Sequence, residues 1–161
     1  MFKIETPTLR DIPQIQLLLE DEVKSGNILY REDDVVATNI RSYLIVKDGK
    51  KIIGSVALHI YSTKLAEFRS MIVDRSYRNR GVGKLLIEEG FKKAQTLGLE
   101  QVLVLTYRSK FFRHLGFVEI PKIDIPNSKI WADCINCKSF PVCDEVALIK
   151  EIKVYSKTDL E

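Results

Sequence analysis

Three arginines, two glycines and a lysine fall within ten consecutive positions, as Arg75, Arg78, Arg80, Gly81, Gly83 and Lys84. The residues before them, Met71-Ile72-Val73, read as the end of a strand. From Gly83 to Leu97 the residues Leu86, Gly90 and Ala94 fall in helical register, so a helix opens at the glycines. Glycine lets the backbone approach a ligand and turn without a Cβ clash. The first amides of a helix lack internal partners, and the aligned peptide dipoles add positive charge there. With Arg78, Arg80 and Lys84 beside it, such a junction suits a pyrophosphate. It lacks the third glycine of a dinucleotide fingerprint and the Gly-Lys-Ser/Thr spacing of a P-loop.

A second pair lies just upstream. In a strand over Leu65 to Val73, Glu67 and Arg69 share one face, roughly 6–7 Å apart, while Ala66, Phe68, Ser70 and Ile72 take the other. Glu67 can take a proton from an amine, directly or through a water. Arg69 can fork onto a carboxylate, a geometry that lysine cannot match. The alternative for both is a solvated surface ion pair, worth about 0–1 kcal/mol. Further along, Cys134-x-x-Cys137-x5-Cys143 offers one zinc-like pair and a third thiol. A structural zinc normally takes four ligands, so Asp133, Asp144 or a partner chain would have to complete the set. Free thiols are the favoured reading, no metal is assigned, and the odd number argues against a disulfide framework.

The elements that must position these groups follow from periodicity and punctuation. A short strand is expected at Phe2 to Glu5. Thr8 is placed to cap a helix with Ile12, Ile15, Leu18, Leu19 and Val23 on its apolar side, ending near Gly26. A second helix is expected over Glu32 to Ser42. Strands follow at Tyr43 to Lys47, Lys51 to Tyr61 and Leu65 to Val73, the first two joined at Asp48-Gly49. After the helix that stops at Gly98 come a strand at Gln101 to Thr106 and a short helix at Ser109 to Leu115. Closing strands are expected at Phe117 to Ile120 and Glu145 to Ile152. This order predicts an α+β (loosely α/β) domain: a mixed, mostly antiparallel sheet with helices on both faces.

With 161 residues the chain fits one domain, spanning 1–161. Hydrophobic residues at 45% and charged residues at 29% exclude a disordered chain. A formal charge of only +3 gives no footprint of a nucleic-acid binder. No apolar run approaches the ~20 residues that cross a bilayer, and the start lacks a secretory stretch. A cytoplasmic protein with neither membrane nor nucleic-acid partner is expected.

Arg78-Asn79-Arg80-Gly81-Val82-Gly83 resembles the Arg/Gln-x-x-Gly-x-Gly/Ala motif of the GCN5-related N-acetyltransferases (GNAT). Phe111 to Phe117 resembles their later helix-and-strand motif. The resemblance implies the GNAT fold and acetyl-CoA as co-substrate. It implies that backbone of Met71, Ile72 and Val73 pairs with the pantetheine arm, and that amides from Arg78 through Asn79, Arg80, Gly81, Val82 and Gly83 to Lys84 hold the pyrophosphate. Phe112, with Phe111, would flank the arm. Leu65 to Val73, Leu103 to Tyr107, Phe111-Phe112 and the tail from Lys129 through Cys143 to Ala147 are similar to short, single-domain N-acetylglutamate synthases of bacterial arginine biosynthesis. No amino-acid-kinase domain like that of longer synthases is expected.

That likeness implies transfer of acetyl to the α-amine of L-glutamate, with Glu67 as base. Two carboxylates on the acceptor call for two cationic anchors, Arg69 and Arg31. Arg41, Lys64 and Arg108 are weaker candidates. Position 112 is Phe where many relatives carry a tyrosine acid, and Tyr107 is the nearest substitute. The oxyanion would meet a backbone amide near Met71. Residues 121–144 form a cysteine-containing loop, either a lid over the acceptor or a contact in a homodimer; Trp131 and Pro126 suggest that it folds back over the domain. Competing readings are an acetyltransferase for another small amine or a protein N-terminus, and a non-catalytic CoA-binding regulatory module.

Overall fold

The computed structural model describes residues 2–127, 129, 133–137 and 143–153. Strands β1 (Phe2–Glu5), β2 (Tyr43–Asp48), β3 (Lys51–Ile60), β4 (Leu65–Val73), β5 (Gln101–Thr106), β6 (Val118–Glu119) and β7 (Val146–Glu151) form one sheet in the order β1-β2-β3-β4-β5-β7-β6. It is flanked by helices α1 (Ile12–Lys24), α2 (Asp33–Thr38), α3 (Val82–Leu97) and α4 (Ser109–His114). β4 and β5 run parallel and every other described pairing is antiparallel. The two faces bury separate cores. Phe68, Leu86, Ala94, Phe112 and Phe117 belong to the α3 side, and Ile15, Leu19, Val36, Ile45 and Ile72 to the α1–α2 side. The α+β sheet with helices on both faces is as expected. Among the described residues no helix is long and apolar enough to cross a membrane.

Three local expectations are corrected. A single 3-10 turn, Leu9–Asp11, separates Thr8 from α1, so Thr8 does not open that helix directly. The expected second helix breaks at Asn39, whose side-chain amide donates to the Val35 carbonyl (2.9 Å); a 3-10 turn, Ile40–Ser42, completes it. A local side-chain bond of this kind competes with the helical ladder. The closing strand near Phe117 shrinks to Val118–Glu119.

A fourth correction shapes the site. β3 and β4 pair Ala57 with Arg69 but Ser55 with Ile72, so β4 carries one extra residue. Ser70 absorbs it at φ 55°, in the left-handed region. A one-residue bulge flips every side chain beyond it. Ile72 therefore packs on the α1 side, not with Phe68 as strict alternation predicts, and Met71 and Val73 turn toward α3. The parallel pairing with β5 ends at Phe68 opposite Val104, while β5 stays paired with β7 as far as Thr106. The sheet thus splits, and the β4 edge from Arg69 to Val73 has no strand partner on the β5 side among the described residues.

Candidate active site

A cleft of about 1380 Å³ follows the split. Of the principal cofactor, catalytic and acceptor candidates, leaving the weaker acceptor cations aside, Arg80 alone stays out of it. At one end Val73 leads through a 3-10 turn, Arg75–Tyr77, to the start of α3. Asn79 and Gly81 adopt φ 61° and 82°, turning the chain so that α3 opens toward the cleft. Gly81 precedes the helix, and Gly83 lies in its first turn. A Cβ on Gly83 would come within 2.9 Å of the Met71 methyl, so backbone and strand pack closely here. Arg78, Asn79, Val82 and Lys84 border the cleft. Arg78 Nε donates to the Val73 carbonyl (3.3 Å), and Lys84 pairs loosely with Glu88 (3.8 Å). The Arg80 guanidinium instead stacks over Phe2 (5.2 Å) and Tyr77 (5.0 Å). Two aromatic faces attract it by cation–π interaction, and it does not line the cleft.

Met71, Ile72 and Val73 line the middle of the cleft, with Thr106 across the split. Phe112 borders it but is buried among core rings, edge-on to Phe111 (5.0 Å) and Phe117 (5.4 Å). Phe111 is the less buried of the two and approaches Gly83. Tyr107, just past β5, donates its hydroxyl to Asp144 (2.7 Å).

The other end holds a buried cluster of charges. Glu67 and Arg69 do share a face, and both are almost fully buried. Glu67 accepts the Tyr61 hydroxyl on Oε1 (2.6 Å) and meets Lys129 Nζ on Oε2 (2.9 Å). Asp133 takes both terminal nitrogens of Arg31 (2.9 and 3.1 Å), Arg69 Nη1 (3.4 Å) and Lys129 Nζ (2.8 Å). The two expected anchors therefore converge on one carboxylate rather than serving two. Each retains a buried Nε–H with no partner among the described residues. Of the weaker candidates, Arg108 borders the cleft, and Arg41 and Lys64 do not.

Burial alone would raise the Asp133 carboxyl, but the Arg31 bond and the Lys129 charge hold it well below the usual carboxylate range. Burial opposes the charge on Lys129, and Glu67 and Asp133 more than restore it. Burial, then the charge and hydrogen bond of Glu67, push the Tyr61 phenol up. His59 sits opposite Glu67 in register and edge-on to Tyr61 (4.9 Å). Burial and the Arg69 charge lower its imidazole to about 4, so it is neutral at pH 7. An unfolded histidine titrates near ~6.5, so the unfolded chain takes up the extra proton between the two values. Stability present above that range falls as pH drops through it. His59→Asn should remove this limb: urea midpoints at pH 7 and pH 5 should nearly coincide in the variant and separate in the wild type.

Lys129, Asp133, Tyr61 and His59 were not expected as site residues; Asp133 was weighed only as a metal ligand. The i,i+4 spacing of Lys129 and Asp133 and the i,i+2 spacing of His59 and Tyr61 are the sequence signals that join them in pairs. Cys134, Cys137 and Cys143 are half-buried free thiols at the rim of the cleft. Among the described residues no group of three His, Cys, Asp or Glu side chains is arranged for a metal ion. Trp131 lies outside the described residues.

Residues 39–119 match the acetyltransferase (GNAT) domain. Over 149 residues the chain is 35% identical to an uncharacterised N-acetyltransferase of Chlorobaculum tepidum, covering 92% of this chain and 96% of that one. The chain belongs to the GNAT acetyltransferase family. It is also similar to an amino-acid acetyltransferase of Pasteurella multocida, 32% identical over 128 residues, or 78% of this chain. It spans only 29% of that relative's length. In fold, this GNAT chain is similar to N-acetylglutamate synthase from Neisseria gonorrhoeae complexed with coenzyme A and N-acetyl-glutamate. There the TM-score is 0.85 at 19% identity, over 95% of this chain and 35% of that one.

Proposed function

We propose that the chain moves the acetyl group of acetyl-CoA to the α-amine of L-glutamate, the first committed acetylation of arginine biosynthesis. The observation that carries this reading is the convergence of Arg31 and Arg69 on one carboxylate beside Glu67. A site that already holds a carboxylate this way is chemically suited to an amino acid's own. The cleft continues from there to the first turn of α3, so acceptor and cofactor meet at the split. The pantetheine arm pairs with the open edge of β4, and its diphosphate lies against residues 78–84.

Glu67 takes the proton as the amine attacks the thioester carbon. A backbone amide near Met71 supports the oxyanion. The carbon–sulfur bond then breaks and CoA leaves as a thiolate. A thiol with pKa near ~8.5 needs little acid, which suits a site with Phe at 112 and the Tyr107 hydroxyl turned to Asp144. The second carboxylate of glutamate would meet Arg108 or Lys122, both on the cleft wall.

Thiol release from acetyl-CoA across a panel of amines tests the proposal. Strong release with L-glutamate alone supports it. Release with many amines points to a different small acceptor or a protein N-terminus, and CoA binding without release to a non-catalytic module. Arg69→Ala should raise the glutamate KM by about 30-fold, the ~2 kcal/mol of a lost charge-assisted bond, and leave the acetyl-CoA KM nearly unchanged. Two-substrate initial rates separate the two constants.

A further inference from the structure

The acceptor end of the cleft is filled by the chain's own charges. Lys129 Nζ stands 2.9 Å from Glu67 Oε2 and 2.8 Å from Asp133 Oδ2. Asp133 in turn faces Arg31 and Arg69. In a free α-amino acid, standard bond lengths put the ammonium nitrogen roughly 2.7 Å from the nearer carboxylate oxygen. Lys129 and Asp133 reproduce both the charges and that spacing, with an ammonium toward Glu67 and a carboxylate toward two guanidinium groups.

We infer that Lys129 and Asp133 are an internal stand-in for the head group of an α-amino acid, and that the acceptor binds by displacing them. This rests on the reading of Glu67, Arg31 and Arg69 as the acceptor site. The exchange is like for like. Stripping a buried charge of its partner is strongly destabilising, so the guanidinium groups give up Asp133 only to another carboxylate. Glu67 likewise gives up Lys129 only to another cation. A ligand with an amine alone, or a carboxylate alone, replaces half of these bonds; a zwitterion replaces them all. The two residues are tied to each other, since the Asp133 amide donates to the Lys129 carbonyl (2.9 Å), and they leave as a unit. Free in water, both are hydrated. Apparent acceptor affinity is then the intrinsic affinity scaled by the fraction of molecules with the stand-in withdrawn.

Calorimetry with L-glutamate on wild type, Asp133→Ala and Asp133→Asn tests this, with millimolar acetate as a second probe in thermal unfolding. Removing the competitor should tighten glutamate binding about tenfold in Asp133→Ala, and less in the isosteric Asp133→Asn. Acetate should raise the Tm of Asp133→Ala and leave the wild type unmoved, because only the variant offers an open carboxylate site. In wild type, hydrogen exchange at the amides of Lys129, Asp133 and Cys137 should quicken when glutamate saturates the protein; this needs no variant to fold. Unchanged or weaker glutamate binding in both variants, or amides that stay protected in the glutamate complex, overturns the stand-in. If acetate still stabilises Asp133→Ala in that case, the acceptor reading survives alone. If glutamate binds none of the three proteins and acetate has no effect, the acceptor reading fails and takes the inference with it.

Discussion

Glu67→Gln should lower kcat by about a thousandfold at neutral pH, within the span that a positioned base contributes. The carboxylate lies in β4 before the Ser70 bulge, on the face shared with Arg69, and is almost fully buried. Glutamine keeps the shape and can still accept the Tyr61 hydroxyl. What disappears is the anion that, in the proposed mechanism, takes a proton and opposes an ammonium. The loss should shrink as pH rises, because more of the acceptor then arrives as free amine and hydroxide can take the proton it sheds on attack. A kcat profile from neutral to alkaline pH therefore distinguishes a lost base from a damaged fold, which would stay slow throughout. CoA affinity, proposed to be set at the far end of the cleft, should not move. A fall smaller than about threefold at neutral pH would mean the proton goes elsewhere, since a working base contributes far more. His59, neutral at pH 7 and opposite Glu67 in register, would be the first alternative.

How much of this could be read from the residues depends on how local the cause is. The junction at residues 78–84 was legible because its determinants are neighbours: a strand ending, two glycines and a helical repeat. The shared face of Glu67 and Arg69 was legible because two residues set it. The bulge was not, since it falls on Ser70 and serine carries no mark of a left-handed conformation. Its effect on Ile72 shows only in the pairing with β3. The fate of Arg80 was hidden for a similar reason, because one of its two aromatic partners, Phe2, lies far away along the sequence. Arg31 and Asp133, 102 residues apart, meet only once the sheet has brought their elements together. The charge cluster is therefore a product of topology, and its members read singly as solvated surface ions.

At the opposite end of the cleft, Gly81→Glu should weaken CoA binding by a factor of about a hundred to a thousand. Two costs combine. Gly81 holds φ 82°, where a side chain strains the backbone by about 1–2 kcal/mol. Space is not the obstacle, because a Cβ there meets nothing within 4 Å. The larger cost is charge: a carboxylate roughly 5 Å from a phosphate charge, at an effective dielectric near ~20, repels it by about 3 kcal/mol, less in salt. Gly81→Ala isolates the first cost. It should lower stability by about 1 kcal/mol and leave the CoA Kd within about tenfold of wild type. Calorimetric titration of CoA into the three proteins, at two salt concentrations, separates the effects, because only the glutamate variant should recover affinity as salt rises. Should Gly81→Glu bind CoA as tightly as wild type, the diphosphate must lie away from the first turn of α3. The cofactor would then have to be placed from the β4 edge alone, and Glu67 and the two guanidinium groups would lose the reason for meeting where they do.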